Sequence, residues 1–337
     1  MAVSTFGRLG DGEQVVEIGI AGGGLEVAVL SYGAVIRDLR YQTAQGSRSV
    51  VLGYSRLSEY VTSSPYFGAI VGRCANRIAG GAFMLEGRRI ALDRNEGGRT
   101  HLHGGAGGFS ARVWEVVAAE PDAVTLQLVA ADGDQGYPGT VTVRCRYAVR
   151  GPGRLTIELS AVTETPTIVN LAAHSYFDLD RGDSILDHRL MVPADAVTAV
   201  DRALIPTGVL APVAGTSLDF RAPRPIREAG GSLDLNYVLA AAPVAEPRLV
   251  ARLEGPRSGL VLEVHSTEPG LQVYDGNKLA GSVPMADGRL PRRNGGVCLE
   301  PQRFPDAVHH PRFPSVLLRP GETYVQRTEY RLTGGLC

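Results

Sequence analysis

The stretch VTVRCRYAVRGPGRLTIELS, residues 141–160, decides the fold class. In its first half, VTVRCRY, every second side chain is apolar, and the same alternation returns in its second half, RLTIELS. A period of two is typical of a strand with one buried face. Between the halves, Gly151-Pro152-Gly153 favours a tight turn. The stretch therefore predicts a β-hairpin that packs one face against a core.

The same pattern recurs along the chain. Hairpins are predicted in LVARLEGPRSGLVLEVHS (turn at Gly255-Pro256), FMLEGRRIAL (turn at Glu86-Gly87) and WEVVAAEPDAVTLQLVAADG (turn at Pro121-Asp122). Further strand-like runs span residues 15–20, 25–32, 35–41, 50–54, 271–274, 297–299 and 324–332. Only SRLSEYVTS, residues 55–63, favours a short helix, with Ser55 as its N-cap.

Many strands with turn signals about every 8–12 residues indicate an all-β fold. We predict a large antiparallel β-sandwich or barrel with very little helix. No low-complexity linker divides the chain, so residues 1–337 are expected to form a single domain.

Net charge and hydropathy argue against two classes of binding partner, nucleic acids and membranes. The formal net charge is −1, which provides no broad basic surface for nucleic acid. No apolar run reaches the roughly 18 residues that a membrane-spanning helix needs. The opening residues MAVSTFGRLGDGEQ lack the basic and apolar regions of a secretory signal. We expect a cytoplasmic protein with no nucleic-acid or membrane partner.

The cysteines do not indicate a disulfide framework or a paired-cysteine metal site. Cys74, Cys145, Cys298 and Cys337 contain no C-x-x-C pair. Cys145 and Cys298 fall inside apolar runs, where a free cysteine behaves as a small hydrophobic residue.

Several polar stretches interrupt the strand pattern. The pair Asn76-Arg77 lies between glycines. The string HLHGG contains His101 and His103, which would share one face of an extended segment. They are either two metal ligands or, as the simpler reading, a single histidine that binds a ligand. His174 precedes aromatic residues and is either a satisfied core histidine or a general acid or base.

Carboxylates form a second group of candidates. Asp234 lies between leucines and Gln272 lies on a strand-like run, so both are expected to need buried hydrogen-bond partners. Glu300 follows an apolar run and precedes a loop broken by prolines. It either marks the end of the strand or is a base held rigidly at the mouth of a site.

Six of these strings occur together and in order: GRCANRIAGG, HLHGG, DGDQGYPG, HSYFDL, LQVYDGN and CLEPQRFPDAVHHPRFPS. In combination they resemble the aldose 1-epimerase family, the galactose mutarotases. The resemblance runs from about Gly68 to the last strand. It implies the large galactose mutarotase-like β-sandwich (supersandwich), in agreement with the periodicity.

The resemblance also implies site residues. It places the acid/base pair at His174 and Glu300, with Glu300 as base and His174 as acid, on opposite sides of one pyranose acetal. It places substrate binding at Asn76, Arg77, His103, Asp234 and Gln272; His103 either binds a hydroxyl or stabilises charge near the ring oxygen. No metal and no cofactor is implied, and a monomer or homodimer is expected.

The sequence departs from the family pattern at Ala173, Leu233, Leu235 and Asp275, which are expected to line or adjoin the pocket and to affect sugar selectivity. The preferred aldose therefore stays open among galactose, glucose, arabinose and xylose. Alternatives are a sugar-phosphate epimerase, for which Arg73 and Arg77 would supply cations, a sugar-binding sensor without turnover, and a structural β-sandwich. His101, His188, His265, His309, His310 and Trp114 are predicted to be structural or solvated.

Overall fold

A computed structural model describes residues 2–335. Strands make up 46% of the structure and helices 7%, which confirms the all-β prediction. The largest sheet has nine strands, in the order β11-β12-β13-β14-β28-β24-β23-β18-β21. These strands are β11 (Glu115–Glu120), β12 (Ala123–Ala130), β13 (Val141–Val149), β14 (Arg154–Thr163), β18 (Arg189–Met191), β21 (Arg224–Pro225), β23 (Arg248–Glu254), β24 (Leu260–Ser266) and β28 (Tyr324–Gly334).

A six-stranded sheet has the order β17-β26-β25-β22-β19-β20, and a five-stranded sheet runs β1 to β5 in sequence. The six strands are β17 (Tyr176–Phe177), β19 (Ala196–Val200), β20 (Pro206–Pro212), β22 (Asp234–Val238), β25 (Gly270–Tyr274) and β26 (Val297–Gln302). The five are β1 (Ala2–Arg8), β2 (Gln14–Gly22), β3 (Leu25–Leu30), β4 (Ile36–Thr43) and β5 (Gly46–Ser49).

Short strands form two-stranded pairs around these sheets. They are β6 (Ile70–Val71), β7 (Arg77–Ile78), β8 (Ala82–Leu85), β9 (Arg88–Ala91), β10 (His101–Leu102), β15 (Thr167–Ile168), β16 (Ala172–Ala173) and β27 (Leu317–Leu318). The helices are α1 (Leu57–Ser63) and single 3-10 turns at Ala79–Gly81, Phe109–Ala111, Asp134–Gly136, Ile226–Ala229 and Ala307–His309.

The opening stretch forms the predicted hairpin. β13 and β14 pair antiparallel, with Val149 opposite Leu155, and their alternate side chains are buried. Gly153 at the turn has φ +61°, and a Cβ there would collide with the Leu332 carbonyl oxygen. Glycine is therefore required at this position. The other three predicted hairpins are the pairs β23–β24, β8–β9 and β11–β12.

One apolar cluster joins the three larger sheets. It includes Ile18 and Val27 from the five-stranded sheet, Val143 from the nine-stranded sheet, and Leu271 and Val297 from the six-stranded sheet. Their burial supplies the main driving force for folding. Among the described residues, no helix combines the length and apolar character needed to cross a bilayer.

Two local predictions were wrong. The run 50–54 is not a strand: it contains one isolated bridge, from Val51 to Phe177, because the chain there passes from one sheet to another. The N-cap of α1 is Arg56 rather than Ser55. The Glu59 carboxylate accepts hydrogen bonds from the backbone N–H groups of both residues, at 3.1 and 3.0 Å, so the helix start needs no hydroxyl cap.

Candidate active site

A cavity of about 220 Å³ collects the predicted site residues. All seven line it: Asn76, Arg77, His103, His174, Asp234, Gln272 and Glu300. Arg77 lies on β7, and Asp234, Gln272 and Glu300 lie on three strands of the six-stranded sheet. Asn76, His103 and His174 lie in loops next to short strands. Folding thus brings together seven polar side chains from six separate segments of the chain.

The six-stranded sheet positions three of these side chains. Gln272 on β25 is directly opposite Glu300 on β26 and Asn236 on β22, so the three side chains share one face. Asp234 lies two residues before Asn236 and points to the same face. The intervening residues, such as Leu271, turn to the opposite face and join the apolar core. Strand alternation therefore separates the site from the core.

The prediction that Glu300 marks the end of a strand was wrong. β26 continues through Pro301 to Gln302. Its neighbour β17 pairs only with Val297 and Cys298, so Pro301 lies where β25 is the single paired neighbour. A proline is tolerated at such an edge because no ladder hydrogen bond from its nitrogen is needed there. Glu300 is therefore held inside a strand.

His174 and Glu300 meet in the cavity. Nε2 of His174 lies 3.7 Å from Oε2 of Glu300, and the residues are 4% and 2% exposed. Nδ1 of the same imidazole lies 3.6 Å from the Cys298 sulfur. The two groups converge on one cavity as expected, and their placement on opposite sides of one acetal stays a prediction. The two groups lie side by side and face one cavity.

Burial shifts both groups toward their neutral forms. The pKa of Glu300 is raised well above its ordinary value, first by burial and then by the neighbouring Asp234 carboxylate, while Arg77 opposes the shift. Burial lowers the pKa of His174 to about 4. A single proton shared by this pair therefore rests mainly on Glu300, and moving it to His174 requires little displacement.

Arg77 connects the carboxylates of the site. Its Nε and one terminal nitrogen each bond an oxygen of Glu96 at 2.8 Å, and its other terminal nitrogen lies 3.7 Å from Asp234. Nε2 of Gln272 donates to Asp234 at 2.7 Å. Burial nevertheless raises the pKa of Asp234. The guanidinium is thus oriented by carboxylates and keeps donors available to a ligand.

Asn76 fixes the orientation and tautomer of His103. The Asn76 backbone N–H donates to Nδ1 of His103 at 3.2 Å, and the His103 backbone N–H donates to the Asn76 carbonyl at 3.0 Å. Because Nδ1 accepts, the ring hydrogen is on Nε2. Burial, His174 and Arg77 lower the pKa of His103 well below its ordinary value. His103 is therefore a neutral donor.

His101 is not a ligand of the cavity. Its Nδ1 lies 2.6 Å from the Asp93 carbonyl oxygen and its Nε2 lies 2.7 Å from the Tyr137 hydroxyl. With both ring nitrogens occupied by protein groups, His101 cannot join His103 at a metal. The structural prediction for His101 is confirmed, and the two-histidine metal alternative is wrong.

One group of donors could in principle hold a metal ion. Among residues 2–335, His174, Cys298 and Glu300 place one ligand atom each within 4.8 Å of one another. Burial raises the pKa of the Cys298 thiol well above its ordinary value, so this sulfur is a neutral thiol beside the His174 imidazole.

Aromatic rings enclose the acid/base pair. The Tyr66 ring lies 4.7 Å from the His103 ring and 5.7 Å from the His174 ring, and the Tyr176 ring lies 5.2 Å from that of His174. Tyr176 and Tyr66 line the cavity, whereas Phe177 is fully buried in the core. Tyr176 therefore can present an apolar face to a ligand, and Phe177 cannot.

Sequence reasoning missed several residues of the cavity wall. Tyr66, Glu96, Tyr274 and Lys278 line it, and Lys278 is the only lysine in the chain. Tyr274 lies two residues after Gln272 on β25, so strand alternation could have placed it at the site. Tyr66, Glu96 and Lys278 reach the cavity only through folding, and no sequence signal marks them as site residues. Arg73, a candidate for binding a sugar phosphate, is buried elsewhere and donates to the carbonyls of Pro138 and Gly139.

The four departures from the family pattern lie behind the cavity. None of Ala173, Leu233, Leu235 and Asp275 is among its lining residues. The Asp275 carboxylate accepts a hydrogen bond from the Leu233 backbone N–H at 3.0 Å, directly before Asp234. These positions adjoin the site, so any effect on selectivity acts through the placement of Asp234.

The remaining histidines and Trp114 are structural. Trp114 is 1% exposed, and His188 is fully buried with Nε2 accepting the Leu179 N–H. His265 contacts Glu263 at 3.2 Å. His309 bonds Asp306, but the expectation that His310 is solvated was wrong, because its Nε2 bonds the Pro206 carbonyl oxygen at 3.0 Å. The three described cysteines are free and buried; Cys337 lies outside the described residues.

Comparison with known proteins gives consistent results. The family model described as aldose 1-epimerase matches residues 15–331. A galactose mutarotase of Rattus norvegicus is 40% identical over 339 residues, which covers 98% of both chains. An aldose 1-epimerase of Haemophilus influenzae is 35% identical over 321 residues and covers 91% of this chain and 92% of its own.

Solved structures share the architecture. An aldose epimerase homologue from C. elegans superimposes with a TM-score of 0.89 at 30% identity, over 94% of this chain and 98% of its own. A galactose 1-epimerase from Lactobacillus acidophilus NCFM gives 0.83 at 25% identity, over 99% and 98%.

The sheets and the buried imidazole–carboxylate cavity define a galactose mutarotase-like β-sandwich enzyme. Within that class, the chain belongs to the aldose 1-epimerase family.

Proposed function

We propose that this protein interconverts the α and β anomers of a free aldose by acid/base-catalysed ring opening and closure. The observation that carries the proposal is the 3.7 Å approach of His174 Nε2 to Glu300 Oε2 at one cavity. The two oxygens that must exchange protons in this reaction are bonded to one anomeric carbon. Two proton-transfer groups that lie side by side match that arrangement.

The proposed reaction balances without a redox step. The Glu300 carboxylate removes the proton of the C1 hydroxyl while His174, as imidazolium, protonates the ring oxygen. The bond from C1 to the ring oxygen breaks and gives the open-chain aldehyde. Rotation about the C1–C2 bond presents the other face of the aldehyde, and the two proton transfers reverse as the ring closes. No cofactor or metal takes part in the proposal.

The number of protons that His174 and Glu300 hold together sets the pH range in which the proposed reaction can run. The pair must hold one proton in total, because a doubly protonated pair lacks a base and a doubly deprotonated pair lacks an acid. The proton rests mainly on Glu300, so the productive form, carboxylate with imidazolium, is a minor part of the singly protonated population. The rate therefore depends on how strongly the site stabilises ionised Glu300.

The other five predicted residues are proposed to bind sugar hydroxyls. Arg77 and His103 donate, Asp234 accepts, and Gln272 does both. Asn76 acts mainly by holding His103 and by accepting the Arg77 backbone N–H at 2.8 Å. Since Nε2 of His103 carries a hydrogen, this residue can also stabilise negative charge near the ring oxygen.

The proposed substrate is a non-phosphorylated aldose. Relatives carry the names galactose mutarotase and aldose 1-epimerase. The positive charge of Arg77 is balanced by the Glu96 and Asp234 carboxylates, and Arg73 lies outside the cavity, so neither of these two arginines offers an unbalanced charge to a phosphate. We further propose a cytoplasmic location, a monomer or homodimer, and no nucleic-acid or membrane partner.

Polarimetry tests the proposed function directly. Freshly dissolved α-galactose, α-glucose, α-xylose and β-arabinose are followed with and without the protein, and glucose 6-phosphate is the comparison substrate. Acceleration with at least one free aldose supports the proposal. Equal rates with and without protein for every sugar would reject it, and faster conversion of the phosphate than of glucose would reject the substrate class.

A further inference from the structure

The only lysine of the chain, Lys278, lines the cavity with its charge unpaired. The Glu96 and Asp234 carboxylates form their salt bridges with Arg77, and within residues 2–335 no carboxylate is at salt-bridge distance from the Lys278 ammonium group. The one hydrogen bond that Lys278 donates among these residues comes from its backbone N–H. Its ammonium group therefore keeps three N–H donors available to a ligand.

A fixed turn carries Lys278 to the cavity. Its backbone N–H donates to the Tyr274 hydroxyl at 3.0 Å, and the next residue, Leu279, is 3% exposed. Within the turn, the Asp275 carboxylate accepts from the backbone N–H of Asn277 at 3.1 Å and from its side-chain nitrogen at 2.8 Å. Both neighbours of Lys278 are thus held by the protein, so the base of its side chain is fixed beside the cavity.

The same carboxylate connects this turn to Asp234. One oxygen of Asp275 bonds Asn277, and the other accepts the backbone N–H of Leu233, the residue directly before Asp234. Asp275 is 1% exposed, so this connection is part of the folded interior. Lys278 and Asp234 are therefore held at one cavity by one buried side chain.

Electrostatics agree that the Lys278 charge acts on both carboxylates of the cavity. Burial raises the pKa of Asp234, and the charges of Arg77 and Lys278 oppose that shift. Burial also acts to raise the pKa of Glu96, but hydrogen bonds from Arg77 and Thr100, with the charges of Arg77 and Lys278, lower it. Two cations thus face two carboxylates, and such a set of donors and acceptors matches sugar hydroxyl groups, which both donate and accept.

Depth in the cavity indicates which part of a sugar lies near Lys278. His174 and Glu300 are buried, whereas Lys278 is exposed at the mouth. In the proposed reaction, the buried pair contacts the oxygen on C1 and the ring oxygen, and C1 and the ring oxygen are neighbours in the pyranose ring. The ring bond opposite them joins C3 and C4. The hydroxyl groups of C3 and C4 therefore face the mouth.

We propose that Lys278 is a further substrate-binding residue, whose ammonium group donates a hydrogen bond to the C3 or C4 hydroxyl of the bound aldose. The proposal rests on the anomer interconversion proposed above, because that reaction orients the sugar in the cavity. A donor at the mouth contacts the substrate and the transition state alike, since the ring atoms it holds do not react. It therefore contributes to KM rather than to kcat.

Kinetics with deoxy sugars tests the hydrogen bond. Lys278→Met keeps an unbranched side chain without the charge, and we expect KM to rise about tenfold while kcat stays close to the parent value. Lys278→Arg keeps the charge and the donors and should restore most of the parent's KM. For the 3-deoxy or the 4-deoxy form of the aldose, whichever lacks the bonded hydroxyl, the parent and Lys278→Met should have the same KM.

Arg312→Met is the matched control, because it removes one exposed cation that does not line the cavity. Its KM and kcat should equal those of the parent for every sugar. An unchanged KM in Lys278→Met would overturn the proposal. An increase of the same size for the aldose and for both deoxy forms would also overturn it, because no single hydroxyl would then be the partner.

The single lysine also allows a binding test that does not depend on turnover. Lysine labelled with carbon-13 at Cε gives one lysine signal in the NMR spectrum, and Lys278→Met assigns it by removing it. Saturating aldose should shift this signal. An unmoved signal in a protein that accelerates mutarotation would overturn the proposal and leave the proposed function standing. A parent without mutarotation would reject the proposed function, and the response of the signal to aldose would still decide whether Lys278 contacts sugar.

Discussion

At the scale of single residues, burial disfavours the charged forms of both His174 and Glu300. Burial lowers the pKa of His174 to about 4 and raises that of Glu300. We expect the kcat profile to be bell-shaped: below about pH 4 both groups are protonated, and above the raised pKa of Glu300 both are deprotonated. Polarimetry between pH 3 and 10, with the uncatalysed rate subtracted, measures both limbs.

The temperature dependence of the alkaline limb shows whether Glu300 or His174 produces it. A carboxyl pKa changes little with temperature, whereas an imidazole pKa falls as temperature rises. We therefore expect the alkaline limb to stay in place when the assay temperature is raised moderately. An alkaline limb that moves down on warming would assign it to His174 and contradict the account.

A second buried carboxyl, Glu268, predicts a pH-dependent stability. It is fully buried, neither carboxylate oxygen is bonded by a described group, and burial raises its pKa from 4.5 to about 7 despite Arg303 and Arg248. Between these values the unfolded chain releases the proton that the folded protein retains. The free energy of unfolding should therefore fall by about 3 kcal/mol as pH rises through this window.

Denaturant unfolding at pH 4.5 and pH 8 measures the effect of Glu268. Glu268→Gln should be more stable than the parent at pH 8 and should flatten the fall across the window. Glu26→Gln, at an exposed position on β3, is the control and should keep the parent's slope. An unchanged slope in Glu268→Gln would assign the pH dependence to other groups.

At the scale of elements, the loop after β10 positions His103. Gly104 has φ +87°, and a Cβ there would collide with the Gly72 carbonyl oxygen, whereas Gly98 has φ +67° with open space around it. An alanine at either position incurs about 1–2 kcal/mol of left-handed strain. Gly104→Ala adds the collision, so we expect greater destabilisation and a raised KM.

Thermal unfolding and sugar kinetics of both glycine variants separate strain from collision. Gly98→Ala should lose about 1–2 kcal/mol of stability and keep the parent's KM. Equal effects of the two substitutions on KM would show that the contact of Gly104 with Gly72 does not position the site.

Strands in which apolar and polar residues alternate strictly were predictable from the sequence. Segments whose structure depends on neighbouring strands were not. β13 and β14 were recognisable in the sequence because each pairs with a strand on both sides and buries one face. Residues 50–54 are equally apolar, yet they cross between sheets. Glu300 seemed to end a strand because Pro301 follows it, and only the short pairing of β17 explains why the strand continues.

At the scale of the whole molecule, the site exists only when distant segments meet. The seven site residues were located because the sequences around them resemble those of a known family. Glu96, Tyr66 and Lys278 carry no such string, and their places follow from the turns that bring them to the cavity. The sequence also could not show which member of the His174–Glu300 pair holds the proton, because burial of a side chain is a property of the packed fold.

The proposal of one domain over residues 1–337 predicts cooperative unfolding. β28 pairs with both β14 and β24 in the centre of the largest sheet, and one apolar cluster spans all three larger sheets. We expect a single calorimetric transition, with fluorescence and circular dichroism giving the same midpoint. Two separated transitions would contradict a single domain.

The central claim is that His174 and Glu300 act as one proton-transfer unit on one sugar. Polarimetric rates of the parent, Glu300→Gln, His174→Gln and the double variant test it most directly. We predict that each single substitution lowers kcat by about 10²–10⁴-fold and that the double variant is no slower than the slower single variant. A Glu300→Gln protein as fast as the parent, or losses that multiply in the double variant, would contradict the account.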